Sequence, residues 1–247
     1  MADPTTKYCT VQELRTQITR EGSKGSAGDV ALTVIINGVE GLIDAVCNRP
    51  DGFVAASSAT ARYFSGSGKP WQRIDECVEI SAVAVKDAAT DTTYTAWDSP
   101  TTNMSGDGDW FAFRGSARTP EYSPLSLAQP KPYDNLMVDI NGDGGYSIFT
   151  NGEFRSRGGF RPTTEISRGL PTVQVTSKWG YAVTVPPIVK QVTIIQAARW
   201  FKKGESSHAD LTTSVEFGQL SLATELDSDL VKMLKVARLA RPAIGGK

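Results

Sequence analysis

The chain has one histidine, three cysteines and no apolar run long enough to cross a bilayer, and each scarcity removes a class of function. His208 stands alone in a Ser-rich stretch and no G-x-S-x-G elbow occurs, so a Ser-His-Asp arrangement has no anchor. Cys9, Cys47 and Cys77 are odd in number, far apart and without C-x-x-C spacing, so neither a disulfide framework nor a zinc site is encoded. A membrane helix needs about 20 consecutive apolar residues. None is present, and "MADPTTKYC" lacks the basic start and apolar stretch of a secretory signal, so the expectation is synthesis and residence in the cytoplasm. Walker-type and G-x-G-x-x-G phosphate loops are missing as well. An excess of one charge is also lacking: 26 basic against 27 acidic residues leave −1, so any charge-based role must be local.

What is present is a folded chain of 247 residues, 40% hydrophobic, enough for one substantial core or two smaller ones. Residues 29 to 48 predict the clearest helix, with Val39, Leu42, Ile43, Val46 and Cys47 on an apolar face and Thr33, Asn37, Glu40, Asp44 and Asn48 on the polar one. Asp29 is a natural N-cap or first-turn acid. Gly38 and Gly41 each cost about 1 kcal/mol of helix propensity; they mark either a close approach by another backbone or tolerated weakness. From residue 60 to 177 short β-prone runs ("VEISAVAV", "TTYTAW", "WFAF", "LMVDI", "YSIF", "VQVT") alternate with turn signals such as Asn141-Gly142, Asp143-Gly144 and Asn151-Gly152. Residues 114 to 132 carry four prolines and are expected to form a long surface loop.

Residues 173 to 204 hold the most distinctive pattern. Val173 and Val175 alternate with polar residues, Gly180 breaks the run, and Val183 and Val185 resume it, which predicts a hairpin ending at a helix. Pro186 and Pro187 suit a helix entrance, where the first N–H groups lack intrahelical partners. Ile188, Val192, Ile195 and Ala198 then recur at helical spacing, with Lys202, Lys203 and Gly204 as a cationic last turn and stop. The segment after Gly204 has mixed signals and is expected to be an exposed loop or poorly regular. A final helix is predicted from Leu226, Leu230, Met233 and Ala237, with Asp227 and Asp229 at its start, Lys232, Lys235, Arg238 and Arg241 on its polar side, and Pro242 ending it.

Three constellations invite chemistry. "DINGDGGYSIFTNGE" matches the start of a calcium loop at Asp139, Asn141, Asp143 and Gly144, but Thr150 stands where the bidentate Glu belongs, so a hairpin turn is the expectation. Asp107 with Asp109, or Asp75 with Glu76 and Glu79, have the composition of acid-base pairs, yet acids beside glycines are ordinary turn residues. "EFRSRGGFRPTTEISR" interleaves Arg155, Arg157, Arg161 and Arg168 with Phe154 and Phe160, a pattern that serves base stacking and phosphate pairing or, equally, a protein-facing or solvated loop. Glu153 and Glu165 reduce its surplus charge.

The order of parts resembles the head-tail connector proteins (adaptor or head completion proteins) of tailed bacteriophages. The parts are "TVQELRTQIT" at 10 to 19, "DVALTVIINGVEGLIDAVCNR" at 29 to 49, "ATARYFSGSGKPWQRIDECVEISAVAV" at 59 to 85, and the Trp179-Gly180-Tyr181 corner leading through Pro186 and Pro187 into a helix. Compact members of that family have little between the strand near Val83 and the Trp-Gly corner, whereas this chain has a long insert there. Because the N-terminal (1–59) and C-terminal (178–247) helices need each other's apolar faces, the expected fold is α+β: a discontinuous α-helical bundle with a β-rich inserted domain at 60–177. No cofactor or metal is expected. The resemblance implies a non-enzymatic virion protein of the neck, made in the host cytoplasm. Its partners would be copies of itself in a ring of about twelve subunits, the portal protein, the next neck or tail protein, and genomic DNA in the lumen. Trp179, Gly180 and Tyr181 would hold the core fold, and Lys232, Lys235, Arg238 and Arg241 would dock on the portal, against the plainer reading of a solvated helix face. A nucleic-acid-binding module using residues 153–168 is the alternative, and a hydrolytic β domain is a third reading that lacks a catalytic motif.

Overall fold

The computed structural model describes residues 6–20, 28–87, 91–116, 119–122, 132–149, 171–209 and 225–241, with backbone alone at 116, 119, 120, 122 and 205–209. They form four helices, α1 (Val11–Arg20), α2 (Asp29–Val46), α3 (Pro187–Ala209) and α4 (Ser228–Val236). The strands are β1 (Thr60–Ser65), β2 (Trp71–Val85), β3 (Thr95–Trp97), β4 (Trp110–Ser116), β5 (Thr119–Tyr122), β6 (Tyr133–Val138) and β7 (Pro171–Trp179). The fold is α+β, and every strand pairing among the described residues is antiparallel. Two compact units divide the chain: a helical unit, Met1–Val54 with Thr184–Lys247, and a sheet unit, Ala55–Val183.

In the helical unit α3 packs on α2, α1 and α4. A capping box starts α1: Thr10 N–H donates to Glu13 Oε2 at 2.9 Å and Glu13 N–H donates to Thr10 Oγ1 at 3.2 Å. Glu13 then pairs with Lys190 of α3. The buried stripe of α2 runs through Leu32, Ile36, Val39, Ile43 and Cys47, rotated from the predicted face: Leu42 is half-buried and Val46 exposed, while Thr33 and Glu40, expected in solvent, are buried. Gly38 lies beside α3, where an added Cβ would meet the Trp200 ring at 3.3 Å; at Gly41 nothing is close.

Two predicted helix ends move. Pro187 opens α3, but Gly204 does not close it: the glycine keeps a negative φ and the helix runs on to Ala209, since glycine weakens a helix by about 1 kcal/mol without forbidding it. The buried stripe of α3 is Val189, Val192, Ala197, Ala198 and Phe201, with Ile188 and Ile195 only half-buried. The last helix stops at Val236, well before Pro242. There Arg238 takes φ 55°, Arg238 N–H donates to Lys235 O at 2.9 Å and Leu239 N–H to Leu234 O at 3.0 Å, a Schellman closure. Leu239 is thereby turned inward with Leu226, Leu230 and Leu234, while Met233 and Ala237 are only half-buried. The end of α2 closes in the same way at Asn48 (φ 52°), and the two ends grip each other: Arg49 Nε donates to Leu239 O at 2.9 Å and Arg241 N–H to Cys47 O at 3.0 Å.

The sheet runs β1-β7-β2-β6-β4-β5, with β3 also pairing β2. The length of β2 explains this: residues 71–77 pair with β6 and 83–85 with β3 on one side, while β7 lies along the other. On β7, Val173, Val175, Ser177 and Trp179 are buried and the residues between them half-buried, the alternation predicted for it. Three expectations are corrected in this unit. No hairpin follows Gly180, whose φ is 138° and whose N–H donates to Glu76 O at 2.8 Å; Val183 is exposed. "YSIF" is not a strand, because its backbone bonds go to a loop (Phe149 N–H to Lys69 O, 2.9 Å; Gly68 N–H to Phe149 O, 2.8 Å) while Tyr146 and Phe149 pack on Trp97. The Pro-rich stretch begins as a β4–β5 hairpin, Ser116 opposite Thr119, and its residues 123–131 lie outside the described ones.

Candidate functional site

The Trp179-Gly180 corner is an assembled piece of packing. Trp179 is 3% exposed, and its indole Nε1 donates to Thr60 O at 2.8 Å. Its ring meets Phe64 of β1 at 5.9 Å between centroids and lies under the Arg62 guanidinium at 4.6 Å. Arg62 pairs in turn with Asp75 Oδ2 at 2.8 Å. Gly180 occupies a left-handed conformation that side chains rarely adopt, so the chain can turn away only there. Tyr181 and Pro186 are half-buried and Pro187 exposed, as suits a helix entrance.

The acidic candidates are engaged in holding loops and strands. Asp75 of β2 pairs with Arg62 of β1, two strands that are not neighbours, and Glu79 Oε2 pairs with Lys178 Nζ of the neighbouring β7 at 2.7 Å. Asp107 accepts from Thr101 and Thr102, whose hydrogen bonds pull its carboxyl below the ordinary carboxylate range. Asp109, 4% exposed, accepts from the N–H groups of Asp98 (2.8 Å) and Gly144 (3.0 Å). Asp139, 2% exposed, accepts from Asn141 N–H at 2.9 Å and Gly106 N–H at 2.5 Å. The calcium-like segment is thus a turn stapled to the 98–109 loop. Among the described residues no three His, Cys, Asp or Glu side chains are grouped as metal ligands. Burial pushes the Cys9 and Cys77 thiols up to about 12 and Cys47 up to about 11, which keeps them protonated and poorly nucleophilic.

Lys232 and Lys235 are exposed on α4, Arg238 is exposed just beyond it in the helix closure, and Arg241 sits farther on beside the end of α2. The four cations therefore do not share one helix face. Arg155, Arg157, Phe160 and Arg161 lie outside the described residues, as do Phe154 and Arg168, and so does the side chain of His208.

One cluster has no signal in linear spacing. Glu40 Oε1, buried on α2, accepts from the N–H groups of Lys7 (2.8 Å) and Tyr8 (2.7 Å). One turn on, Asp44 accepts from the Tyr8 hydroxyl, which itself accepts from Phe53 N–H at 2.9 Å. Burial raises both carboxyls above their ordinary values of 4.5 and 3.8, against the opposing pull of these donors. A carboxyl raised by folding stabilises the fold fully below its ordinary pKa, and that contribution is lost as pH rises through the folded value. Glu13, pulled below 4.5 chiefly by Lys190, works in the opposite sense, losing its contribution as pH falls. Thermal unfolding followed by helical circular dichroism should therefore show a component of stability that declines as pH rises above about 4.5. The E40Q/D44N variant should lack that component; an unchanged slope in the variant would contradict the assignment.

No protein-family model and no curated protein matches the chain. One solved structure does. It is described as "Neck of empty GTA particle computed with C6 symmetry", and the match has 13% identity and a TM-score of 0.46, over 97% of this chain and 93% of that one.

Proposed function

We propose that this chain is a structural subunit of a tailed-phage neck: an adaptor that assembles head-to-tail into a closed ring beneath the portal vertex, lines a channel for DNA and offers its lower surface to the next neck or tail protein. The observation that carries the reading is the meeting of separate parts of the resembling pattern: the "ARYF" strand and the Trp-Gly corner, 119 residues apart, hold one another through Trp179 Nε1 and Thr60 O. The Arg49 helix and the helix that Pro187 opens also pack together. In this reading α1 to α4 form one discontinuous bundle and the sheet unit is its insertion. The subunit works through shape and contact, with no bond made or broken, and a heterologous contact closes into a ring only at the right rotation per subunit.

Electron microscopy of the chain mixed with portal rings or with virions is the direct test. A ring of added density on the portal at the neck is expected. Portal rings that stay bare at saturating protein would refute the proposal.

A further inference from the structure

Two exposed apolar points stand in opposite electrostatic settings, one in each unit. In the sheet unit Met104 and Ile140 are 66% and 73% exposed. The loops that carry them are laced together next to these residues: Ser105 Oγ donates to Asp139 Oδ1 at 3.3 Å and accepts from Asn141 Nδ2 at 2.9 Å, and Gly106 N–H also donates to Asp139. Backbone packing is tight, since a Cβ on Gly142 would stand 2.6 Å from Gly108 O. The apolar side chains are therefore presented by a preorganised tip. Residues 91–113 and 133–149 contain no Lys or Arg, and Asp98 and Asp143 are exposed beside the knot.

In the helical unit Val236 is 85% exposed at the end of α4. Lys232 lies one turn before it on the same face, Lys235 adjoins it, and Arg238 follows in the helix closure. All three cations are exposed and make no ion pair among the described residues.

We propose that the acidic, apolar tip of one copy docks on the basic, apolar end of α4 of a second copy. Apolar atoms would meet at the centre, with opposite charges around them. Charge complementarity favours a second copy, because each chain carries one surface of each kind and so can give and take the same contact, which is heterologous and repeatable. The ring reading supplies closure; the contact itself does not depend on it. Docking of the α4 end on a portal becomes an outcome of the test.

Sedimentation of the full chain at low and high salt reads the contact. Wild type should self-associate, less so with salt. D98K/D143K and K232E/K235E should each weaken association by at least about tenfold. An equimolar mixture of the two variants should regain it, since each reversed surface then meets its complement, as should one chain carrying all four changes. Circular dichroism checks that each variant is folded, and K232Q/K235Q replaces the reversal if Glu at the helix end disrupts it. A wild type that stays monomeric at its solubility limit and low salt, reversals that associate like wild type, or a mixture that regains nothing would each overturn the proposal. It is also overturned if K232E/K235E loses portal binding while self-associating normally, because the portal is then the occupant. Self-association that behaves as expected on a chain that never binds portal rings would uphold this contact and refute the neck reading.

Discussion

Replacing Trp179 with alanine should destabilise the sheet unit by about 3–5 kcal/mol, the cost of emptying a large aromatic site in a core. The loss has three sources. The indole fills the end of a core built from Ile80, Val83, Val173 and Val175. Its N–H satisfies Thr60 O, and its face carries Arg62 and touches Phe64, so β1 is tied to β7 by side chains as well as by the ladder. Trp179→Phe keeps most of the packing and loses the hydrogen bond, so a smaller cost of about 1–2 kcal/mol is expected. Urea unfolding monitored by circular dichroism gives both values, and amide exchange should locate the extra opening in β1. A cost below about 1 kcal/mol for Trp179→Ala would show that the corner is not a keystone of this unit.

Glu40→Ala should cost the helical unit about 2–4 kcal/mol, because it strands two backbone donors at once. Lys7 N–H and Tyr8 N–H share Glu40 Oε1, and Tyr8, 2% exposed, has no solvent to turn to. Gln at this position retains an amide oxygen that can accept both bonds, so Glu40→Gln should cost much less while removing a titrating group. The check is amide exchange at Lys7 and Tyr8, which should accelerate strongly in the alanine variant and little in the glutamine one. Equal effects from the two substitutions would mean that the charge, rather than the acceptor oxygen, holds the segment.

The contrast between these sites shows what patterning can reveal. The corner was visible because glycine, proline and tryptophan act locally: Gly180 is required by its own φ, Pro187 suits the first turn of its own helix, and alternation along β7 follows from the pleat. The spacing of Glu40 on α2 argues for the polar face, but its real partners are 32 and 33 residues away. The buried faces of α3 and α4 differ by about one position from those their spacing predicts, for a related reason. Several rotations bury an acceptable apolar set, and the neighbouring helices select among them.

The sequence by itself determined the α+β composition, the start of α3 at the double proline and the buried role of Cys47 and Trp179, because each depends on periodicity or on one residue's own stereochemistry. Only the tertiary structure decided where helices end, which carboxylates are buried, and which turns serve as hairpins. Those outcomes depend on partners remote in the chain: Arg49 reaching Leu239, Asp109 reaching Gly144, Phe149 reaching Lys69. Local propensities differ by about 1 kcal/mol or less, and a single satisfied buried group outweighs that.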